Sequence, residues 1–565
     1  MSAHETLWQR WTRHADERPS AEAIVHYRAE QAPVRLTWSE LVAAAGTAAN
    51  RLHTLGVRKG DVCALVLRHH AELYPAYLGV CALGAIPAIL AYPNARLHPD
   101  KFVAGLSGMA RRSGLDYLLT ERELEPVIRP LVMGSGATVR GLLFPLEWNV
   151  LAEPAPLPAV PGARSHEPCL LQHSSGTTGL QKAVVLSHAA VLDHVDRYAE
   201  AIELSSSDKV VSWLPLYHDM GLIAAFHLAL ARSIPLVQLD PFEWVLAPGL
   251  LLQALHEERG TLSWLPNFAY NLLADRVRDD DIEGVRLEHT RLLVNCSEPV
   301  RHDSHSRFFE RYRARGLAEG TLSACYAMAE TTFAVTQTRP GERARVLMLD
   351  RAALKEGRAV LAGDETLARA CVSSGYPLRG CRVRVVGAEG EELGSGRTGE
   401  LWIRSESMFD GYRNAPEETA RSMVDGWYRS GDLGFEWEGE IYVTGRVKDI
   451  IIHAGKNLFP EDIEDAVSRV PGVIPGRVVA FGIDDASTGT EAVCVIAESE
   501  LTDVRPRKTL ELAILKAAMA IDVTLGRVVL APPRWLVKSS SGKLSRKTNK
   551  ERLLEGELTP SPTGS

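Results

Sequence analysis

The chain lacks the features by which several protein classes are recognised. None of its eight cysteines forms a C-x-x-C pair, so zinc-finger and thioredoxin-type spacings are absent. Cysteines scattered singly through 565 residues are typical of reduced thiols in a reducing compartment. No long block of Lys or Arg occurs, and 71 acidic against 63 basic residues give a net charge of -8. A nucleic-acid partner is therefore not expected.

Segments that would direct the chain to a membrane are also lacking. The start, residues 1–20, is polar and mixed in charge, without the apolar centre of a signal peptide. The uncharged run 73–94 is long enough to span a bilayer, but it is interrupted by Pro75, Pro87 and Pro93. We interpret it as a buried helix, a turn and a buried strand. We therefore expect a cytoplasmic protein with no membrane span.

What the chain does contain is ordinary for a globular protein, with 45% hydrophobic and 24% charged residues. Its length suffices for about three or four domain-sized units, each with a hydrophobic core of its own. Small disulfide-stapled, collagen-like and wholly disordered proteins are excluded by this length and composition.

The first half alternates helical and strand-like segments. Apolar residues recur at helical spacing over 36–57, a stretch that opens at Thr37 and closes at Gly56. Short apolar runs typical of buried strands stand at 61–67, 209–215, 234–240 and 292–296. Strands separated by helices indicate a parallel sheet. We predict an α/β fold class, with a large N-terminal domain of layered α/β subdomains.

The pattern changes after about Gly375. Period-two alternation with Gly-rich turns predicts a β-rich subdomain over 375–447. Helices and strands mix again over 448–553, which predicts a small, mobile α+β C-terminal domain. The polar tail 554–565 is rich in Pro, Gly and Ser, and we expect it to be disordered. The predicted N-terminal domain is thus 1–447.

Two weak motifs carry no chemistry. The run Gly394–Gly399 fits G-x-G-x-x-G, but a strand-like segment follows it instead of a helix, so we interpret it as a hairpin turn. The histidines at 69, 70, 302 and 305 lack metal-ligand spacing and are predicted to lie on the surface.

The strongest local signal is HSSGTTGLQKAVVLSH, residues 173–188. Glycines let a backbone approach a ligand closely, and successive N–H groups and hydroxyls can wrap an anion to which a lysine adds a point charge. The Walker spacing is missing, so this is not a P-loop of that type. We predict a phosphate-binding loop formed by Ser174, Ser175, Gly176, Thr177, Thr178, Gly179 and Lys182.

With this loop the sequence resembles the adenylate-forming superfamily of acyl-CoA synthetases, carrier-protein-linked adenylation domains and luciferases. The loop is similar to that family's triphosphate-binding signature, and further matches follow in order from about residue 36 to 548. They are WLPLYHDMGLI (213–223), NCSEPV (295–300), YAMAETT (326–332), YRSGDLGF (428–435), GRVKDIIIHAGKNLFPEDIE (445–464) and SSSGKLSRK (539–547). These motifs follow one another in the same order as in the family, so together they indicate the family more specifically than the loop alone.

The resemblance implies ATP and Mg²⁺ as cofactors. It makes Glu330 the magnesium-binding acid and, with His218 and Lys543, a catalytic residue. It also implies that Lys448 is the hinge of the C-terminal domain. A carboxylate can accept two hydrogen bonds, which suits the implied role of Asp432 at the two ribose hydroxyls.

The remaining implied contacts form two groups. Besides the loop and Asp432, the nucleotide would be bound by Ser297, Glu298, Pro299, Tyr326, Ala327, Met328 and Arg446. The acyl pocket would be lined by Gly221, Leu222, Ala225, Phe226, Asn267 and Phe268.

Several details resemble the fatty acyl-AMP ligase branch of the superfamily. Ala329 precedes the implied magnesium acid, as in that branch, and Gly375 lies 45 positions after Glu330. This spacing is longer than in CoA-using relatives. The excess, about 346–370, resembles the insertion that in this branch restrains the C-terminal domain and disfavours CoA. The alternative is an ordinary surface insertion.

The implied reaction converts a carboxylic acid, in this branch a fatty acid, and ATP into acyl-AMP and pyrophosphate. The acyl group would then pass to the phosphopantetheine thiol of an acyl carrier protein. An acyl-CoA ligase is the alternative within the family. A nucleotide- or acyl-binding homologue without catalysis is the alternative of a different class, although Glu330, Asp432 and Lys543 argue against it.

Overall fold

The structure is a computed structural model that describes residues 5–93, 99–133, 139–153, 155–159, 162–174, 182–364, 368–453, 456–485, 490–538, 543–556 and 558. Its internal contacts divide the chain into two compact units. Unit 1 comprises Met1–Arg345, Ser374–Val383 and Ile403–Tyr428. Unit 2 comprises Val346–Ser373, Arg384–Trp402 and Arg429–Ser565. The domain boundary that the sequence predicts at Lys448 stays a prediction.

The α-helices over these residues are numbered in chain order. They are α1 (Leu7–Glu17), α2 (Trp38–Thr54), α3 (Leu73–Ala82), α4 (Pro99–Ser113), α5 (Glu125–Ile128), α6 (His188–Ala201), α7 (Leu228–Arg232), α8 (Pro241–Leu246), α9 (Gly249–Glu257), α10 (Asn267–Arg276), α11 (His302–Tyr312), α12 (Arg351–Lys355), α13 (Pro416–Ser422), α14 (Pro460–Ser468), α15 (Val504–Met519) and α16 (Arg546–Leu554). A π-helix, Met220–His227, precedes α7.

The strands are numbered in the same way. The first fourteen are β1 (Glu22–Tyr27), β2 (Val34–Thr37), β3 (Val62–Val66), β4 (Ile86–Ile89), β5 (Tyr117–Thr120), β6 (Gly141–Leu143), β7 (Pro168–Ser174), β8 (Lys182–Ser187), β9 (Val210–Ser212), β10 (Leu236–Leu239), β11 (Leu262–Leu265), β12 (Leu292–Asn295), β13 (Leu322–Ala327) and β14 (Ala334–Gln337).

The later strands follow the change of pattern in the sequence. They are β15 (Val346–Asp350), β16 (Ala368–Val372), β17 (Tyr376–Pro377), β18 (Cys381–Val386), β19 (Gly399–Ser405), β20 (Gly411–Tyr412), β21 (Met423–Val424), β22 (Trp427–Trp437), β23 (Glu440–Arg446), β24 (Ile451–His453), β25 (Lys456–Leu458), β26 (Val478–Asp485), β27 (Thr490–Glu498) and β28 (Arg527–Ala531).

Unit 1 is built on three sheets. The largest has the order β17-β14-β13-β12-β11-β9-β10-β1-β2 and is parallel from β13 to β1. A second sheet, β4-β3-β5-β6, is parallel throughout. The third, β20-β8-β7, is antiparallel. Helices alternate with the strands of the parallel sheets, so the prediction of layered α/β architecture is confirmed.

Helix α2 shows how the sequence fixes an element of this unit. The hydroxyl of Thr37 accepts from the backbone N–H of Glu40, whose carboxylate bonds back to Thr37, which forms a capping box. Gly56, just beyond the helix, has φ +98°, a conformation that favours glycine. A Cβ on Gly79 of α3 would lie 2.8 Å from the Cβ of Ala48, so a small residue is needed where α3 packs on α2. The predicted helix and both of its ends are confirmed.

The apolar run after residue 72 folds as a buried helix and strand. Every residue of α3 and of β4 is buried. Among the helices that the structure describes, none is both long and apolar enough to cross a membrane. The interpretation of 73–94 as core segments is therefore confirmed.

Unit 2 combines hairpins with an α+β core. Strands β15 and β16 pair as an antiparallel hairpin, and β22 pairs with β23 from Asp432 to Trp437. The C-terminal part has the sheet β26-β27-β28, against which α14 and α15 pack residues such as Ile463, Val467 and Ile514. The predicted small α+β domain at the C-terminus is confirmed as a fold.

For the two weak motifs, the structure confirms the predicted turn and contradicts the predicted exposure of one histidine. Gly394–Gly399 connects β18 to β19, a strand, which confirms the hairpin-turn interpretation. The prediction that His305 is a surface residue is wrong, because it is 2% exposed. It shares a face of α11 with Phe308 and Tyr312, and its ring contacts that of Tyr270 on α10. Burial lowers the pKa of His305 to about 3.

Candidate active site

The predicted phosphate loop joins two paired strands of unit 1. In the antiparallel pair β7–β8, Ser174 lies opposite Lys182, so the intervening residues close the hairpin. Ser175, Gly176, Thr177, Thr178 and Gly179 lie outside the described residues, as does the side chain of Ser174. Their contact with phosphate stays a prediction.

Lys182 is held beside the loop by an aromatic ring and a carboxylate. Its Nζ lies 4.4 Å from the ring centre of Tyr412 and 3.7 Å from Oε2 of Glu418. Tyr412 is brought there by β20, which pairs with β8 at Val184. A cation over a tyrosine face is attracted by the ring quadrupole, so Tyr412 restrains the ammonium group.

Glu330 is a buried acid that accepts a hydrogen bond from a tyrosine. It lies in a single 3₁₀ turn, Ala329–Thr331, directly after β13, and is 8% exposed. The hydroxyl of Tyr412 donates to Glu330 Oε1 at 2.7 Å. The Tyr428 hydroxyl lies 3.2 Å from that of Tyr412. Glu330 and Lys182 are therefore linked through Tyr412.

The turn that carries Glu330 is strained at Thr332, two residues further along the chain. Thr332 has φ +68°, which is rare for a β-branched residue. Its hydroxyl donates to the carbonyl of Ser407 at 2.8 Å, and the backbone N–H of Phe409 donates to the carbonyl of Glu330 at 2.9 Å. These bonds hold a sharp turn that cannot relax without losing them, as is common at functional sites.

The predicted adenine-binding residues follow two neighbouring parallel strands. Strands β12 and β13 pair with Asn295 opposite Ala324, and the chain continues to Ser297–Glu298–Pro299 on one and Tyr326–Ala327–Met328 on the other. Ser297 has φ +80°, so the chain turns sharply at the strand end. The crevice outside the carboxyl ends of parallel strands is where α/β sheets bind ligands.

Asn267 braces the first of these segments. Its Nδ2 donates to the carbonyl of Pro299 at 3.0 Å. Its Oδ1 accepts from Asn295 Nδ2 at 2.9 Å and from the Arg301 backbone N–H at 3.0 Å. The sequence predicts Asn267 for the acyl pocket, which stays a prediction. Its observed contacts fix the turn around Ser297.

The other predicted pocket residues lie on the π-helix or beside it. Gly221, Leu222, Ala225 and Phe226 are all buried in the π-helix, an element often found at functional sites. A Cβ on Gly221 would lie 2.4 Å from the carbonyl oxygen of Pro215, so only glycine fits. The backbone N–H of Leu222 donates to the carbonyl of His218 at 2.7 Å.

The π-helix reaches the predicted nucleotide segment. Ser297 Oγ donates to the sulfur of Met220 at 3.8 Å. Phe268, on α10, is 38% exposed and packs edge-on against Trp213 at a ring distance of 5.8 Å. Segments 213–223 and 295–300, which the sequence associates with acyl and adenine binding, therefore meet in unit 1 together with the predicted pocket residues Asn267 and Phe268.

Four predicted residues lie in unit 2. Asp432 and Arg446 face each other across β22 and β23, with Arg446 Nε 3.2 Å from Asp432 Oδ1. Lys448 lies in the 3₁₀ turn Val447–Asp449 that follows β23. Lys543 is half-buried and precedes Leu544, which bridges to Lys538. Within this unit, Asp432, Arg446 and Lys448 are neighbours along one strand end.

Sequence reasoning did not find Tyr412 and Tyr428. Each contacts its partners only through the fold, since 82 residues separate Tyr412 from Glu330. Tyr428 is the first residue of the 428–435 motif, but the motif was associated with Asp432, and Tyr412 lies in none of the quoted motifs.

Comparison with known proteins shows the family of the chain. A family model described as AMP-binding enzyme matches residues 11–413.

The chain is an AMP-binding enzyme.

Relatives of this AMP-binding enzyme span nearly its whole length. It is 29% identical to a protein of Caulobacter vibrioides named "Putative acyl-CoA synthetase", over 92% of this chain and 91% of that one. It is 29% identical to a long-chain-fatty-acid–AMP ligase of Mycobacterium marinum, over 95% of each chain. It is 32% identical to a medium-chain-fatty-acid–[acyl-carrier-protein] ligase of Moorena producens, over 70% of each chain.

A solved structure gives the same assignment. It comes from a study of fatty acyl-adenylate ligases from E. coli and L. pneumophila, is 26% identical, and matches with a TM-score of 0.90 over 98% of both chains. The resemblance on which the sequence analysis rests is confirmed.

The described residues of the AMP-binding enzyme fit a magnesium ion held together with a nucleotide. Among them no group of three or more His, Cys, Asp or Glu side chains could hold a metal alone. Mg²⁺ usually takes one or two carboxylates and completes its shell with substrate phosphates and water. The single buried carboxylate of Glu330, near the end of the phosphate loop, matches that donor set.

Proposed function

We propose that this AMP-binding enzyme uses ATP and Mg²⁺ to convert a fatty acid into acyl-AMP and pyrophosphate. The phosphopantetheine thiol of an acyl carrier protein then attacks the acyl carbon, the bond to phosphate breaks, and the acyl group is transferred as a thioester while AMP leaves. The names of the Mycobacterium marinum and Moorena producens relatives support the fatty substrate, and the latter supports the carrier. The contacts of the 346–370 insertion within unit 2 are the structural observation that favours a carrier over CoA.

The first step brings two anions together. The substrate carboxylate attacks the α-phosphorus, the bond to the β,γ-phosphates breaks, and pyrophosphate leaves with its negative charge. Lys182 would stabilise the β- and γ-phosphates, and Lys543, with Arg446, would offset charge at the reacting centre. Mg²⁺, held by Glu330, supplies further charge neutralisation when bound. His218 would lie on the path of the incoming thiol.

Several of the predicted residues would orient the nucleotide. Tyr326 would stack on adenine, whose edge would be recognised by Ser297, Glu298 and Pro299 together with Ala327 and Met328. The carboxylate of Asp432 would accept hydrogen bonds from both ribose hydroxyls, with the guanidinium of Arg446 already 3.2 Å away. The serine, threonine and glycine residues from Ser174 to Gly179 would wrap the triphosphate.

The insertion is tied to the C-terminal part of unit 2 by two ion pairs, of which the Arg369 pair is largely buried and the Lys355 pair has an exposed carboxylate. Arg369, on β16, places its Nε 2.9 Å from Oδ1 of Asp462 on α14, and it is 8% exposed. Its guanidinium also lies 4.4 Å from the ring centre of Phe459. On α12, Lys355 Nζ lies 3.2 Å from Oδ2 of Asp522.

The same insertion packs on the residues that precede the hinge. Leu347, Leu349 and Leu354 share an apolar cluster with Phe435 and Tyr442 of β22 and β23, and Phe459 belongs to it as well. Arg369 donates to the carbonyl of Thr444 at 3.0 Å. The insertion therefore contacts the chain on both sides of Lys448, and any rotation there would break these contacts.

This restraint favours a protein as thiol donor. Separating Asp462 from Arg369 would leave the buried guanidinium without its carboxylate, and an unpaired buried charge is costly. A carrier protein can offset such a cost with an interface, whereas free CoA has only its own small surface. The acyl pocket between the π-helix and α10 would set the preferred chain length, since each buried CH₂ contributes about 0.8 kcal/mol.

The experiment presents acyl-AMP formed by the enzyme with either CoA or a panel of holo acyl carrier proteins. We expect acyl transfer to a carrier and little acyl-CoA. An Arg369→Met variant should raise acyl-CoA formation, and Arg358→Met, whose pair with Glu356 is exposed, is the matched control.

The second candidate is an acyl-CoA ligase, which the name of the Caulobacter vibrioides relative favours. Acyl-CoA formation by the unmodified enzyme as fast as transfer to any carrier would contradict our proposal and support this one. Failure of every fatty acid to release pyrophosphate would instead support a homologue that binds without catalysis.

A further inference from the structure

Tyr412 is a buried tyrosine that contacts two charged residues of the proposed site. Its hydroxyl donates a 2.7 Å hydrogen bond to Glu330 Oε1. Its ring centre lies 4.4 Å from Lys182 Nζ. The strand pairing between Tyr412 and Val184 fixes this geometry, because Val184 is two residues beyond Lys182 on β8. One side chain thus touches both the acid assigned to the metal and the cation assigned to phosphate.

The hydrogen bonds around Tyr412 have a defined direction. A phenol hydroxyl carries its proton at neutral pH. A protonated phenol beside a carboxylate must donate to it. Because that proton is used by Glu330, Tyr412 does not donate to the hydroxyl of Tyr428, which lies 3.2 Å away and also interacts with Glu330. In this donor chain Tyr412 is the donor and Glu330 the acceptor.

Such a donor chain has the form of support expected around a metal-binding carboxylate. Carboxylate ligands are usually hydrogen-bonded themselves, and loss of that partner typically weakens metal affinity about 10- to 100-fold. Here the supporting residue also holds a lysine by its ring face, a contact that survives removal of the hydroxyl. The two functions of Tyr412 can therefore be separated by mutation.

We propose that Tyr412 is a positioning residue that couples metal binding to phosphate binding. Its hydroxyl orients the carboxylate of Glu330 for Mg²⁺, and its ring holds the ammonium of Lys182 for the triphosphate. This inference rests on the proposed function, since it takes Glu330 as the magnesium acid and Lys182 as a phosphate contact.

The test measures binding in the full chain, without turnover. Mn²⁺ replaces Mg²⁺, and the loss of the free Mn²⁺ signal in electron paramagnetic resonance reports its binding with α,β-methylene-ATP. Equilibrium dialysis measures the affinity for the same analogue without metal. The variants are Tyr412→Phe and Tyr412→Leu. The control is Tyr312→Phe, which removes a buried hydroxyl that donates to the Leu273 carbonyl away from the site.

We expect Tyr412→Phe to weaken Mn²⁺ affinity roughly tenfold and to leave the metal-free nucleotide affinity within about twofold. Tyr412→Leu should weaken both affinities, because the ring is lost as well. Tyr312→Phe should change neither affinity. Wild-type Mn²⁺ affinity in Tyr412→Phe, or wild-type metal-free affinity in Tyr412→Leu, would overturn the proposal.

A Glu330→Gln variant separates failure of this inference from failure of the proposed function. If Glu330→Gln loses Mn²⁺ affinity and Tyr412→Phe does not, only the role of Tyr412 is wrong. If Glu330→Gln itself binds Mn²⁺ as the wild type does, the assignment of Glu330 is wrong and the inference falls with it. Unchanged circular dichroism melting of Tyr412→Phe would show that either result reports the site and not unfolding.

Discussion

The two units bury polar groups by different chemistry. Of the 18 histidines in the chain, His453 alone lies in unit 2. In unit 1, buried rings make neutral hydrogen bonds, such as His227 with the Tyr77 hydroxyl at 2.8 Å. In unit 2, buried carboxylates are matched to arginines, as Glu464 is to Arg546 at 2.7 Å. Unit 1 also contains pairs of this kind, such as Asp196 with Arg10 and Asp208 with Arg291, so its buried histidines are what distinguish it.

This difference predicts how each unit responds to acid and to the removal of a charged side chain. A neutral histidine in the core loses its hydrogen bond when acid protonates it. An arginine that faces several carboxylates is destabilised most by removal of the cation, because the acids remain buried. The division extends to function, since unit 1 contains Lys182, Glu330 and the segments assigned to adenine, whereas unit 2 contains Lys543.

The largest effect is expected from breaking the arginine cluster of unit 2. Arg546 lies within hydrogen-bond distance of Glu464, Glu461 and Asp449. Replacing it by Met leaves three carboxylates without that cation and should destabilise unit 2 by about 3–5 kcal/mol. Hydrogen exchange followed by mass spectrometry would measure the loss of protection peptide by peptide.

Arg469→Met is the control, because its pair with Asp465 spans one helical turn and is exposed. It should cost at most about 0.5 kcal/mol. Equal effects of the two variants, or loss of protection confined to unit 1, would contradict the comparison.

Lys543→Ala tests the functional side of the comparison. Loss of one preorganised charge in the transition state typically slows a reaction about 10²- to 10³-fold, or roughly 3–4 kcal/mol. Acyl-AMP formation should slow by that factor, whereas ATP affinity should stay near the wild-type value. Single-turnover kinetics with labelled ATP measures the rate.

Lys547→Ala is the matched control, since this exposed lysine pairs only weakly with Glu551 at 3.8 Å. An unchanged rate in Lys543→Ala would show that unit 2 does not supply the catalytic cation.

A smaller effect is expected from Asn267→Ala in unit 1. The substitution removes the acceptor of Asn295 and of the Arg301 N–H, and each buried group left without a partner costs about 1–3 kcal/mol. The turn at Ser297 should loosen, and AMP affinity, measured by calorimetry, should fall by roughly tenfold. Asn271→Ala on the same helix is the control. Wild-type AMP affinity in Asn267→Ala would mean that the turn does not contact the nucleotide.

The smallest effect concerns the histidines. His194 Nε2 accepts the N–H of Ala334, and burial lowers the pKa of His194 to about 3. Between about pH 6.5 and this value the unfolded chain binds a proton that the folded unit does not. The stability of unit 1 therefore falls as the pH falls through that window, by about 1.4 kcal/mol per pH unit for each such group.

His194→Gln, which keeps an acceptor, should reduce this slope by about 1.4 kcal/mol per pH unit. Hydrogen-exchange protection in unit 1 at pH 5 and pH 7, corrected for the intrinsic rates, measures it. His453→Gln in unit 2 should leave the slope of unit 1 unchanged. The same slope in wild type and His194→Gln would contradict the assignment of a neutral buried ring.

The sequence predicts those parts of the molecule that local physics determines. The helix that opens at Thr37 and closes at Gly56, the buried strands of the main sheet and the α+β core near the C-terminus follow from periodicity and end signals, and they are confirmed. The sequence does not predict the burial of His305, because that burial depends on α10. Helix α10 packs on the face of α11 that His305 shares with Phe308. The sequence does not predict the contacts of Tyr412 with Lys182 and Glu330, because they form only when distant segments of the chain pair and pack together.

The candidate site shows the same limit. The collinear motifs predict which residues surround the nucleotide, but not what supports them. Asn267 illustrates this, because its bonds to the Ser297 turn depend on where α10 begins relative to the end of β12. Such supporting contacts come from tertiary packing, which a local sequence pattern does not predict.

The most direct measurement is mass spectrometry of the products formed by the unmodified enzyme with ATP, Mg²⁺ and a panel of fatty acids, before any thiol is added. The account predicts acyl-AMP and pyrophosphate in equal amounts, only when a fatty acid is present. ATP consumption without acyl-AMP, or no acid-dependent product across the panel, would contradict it.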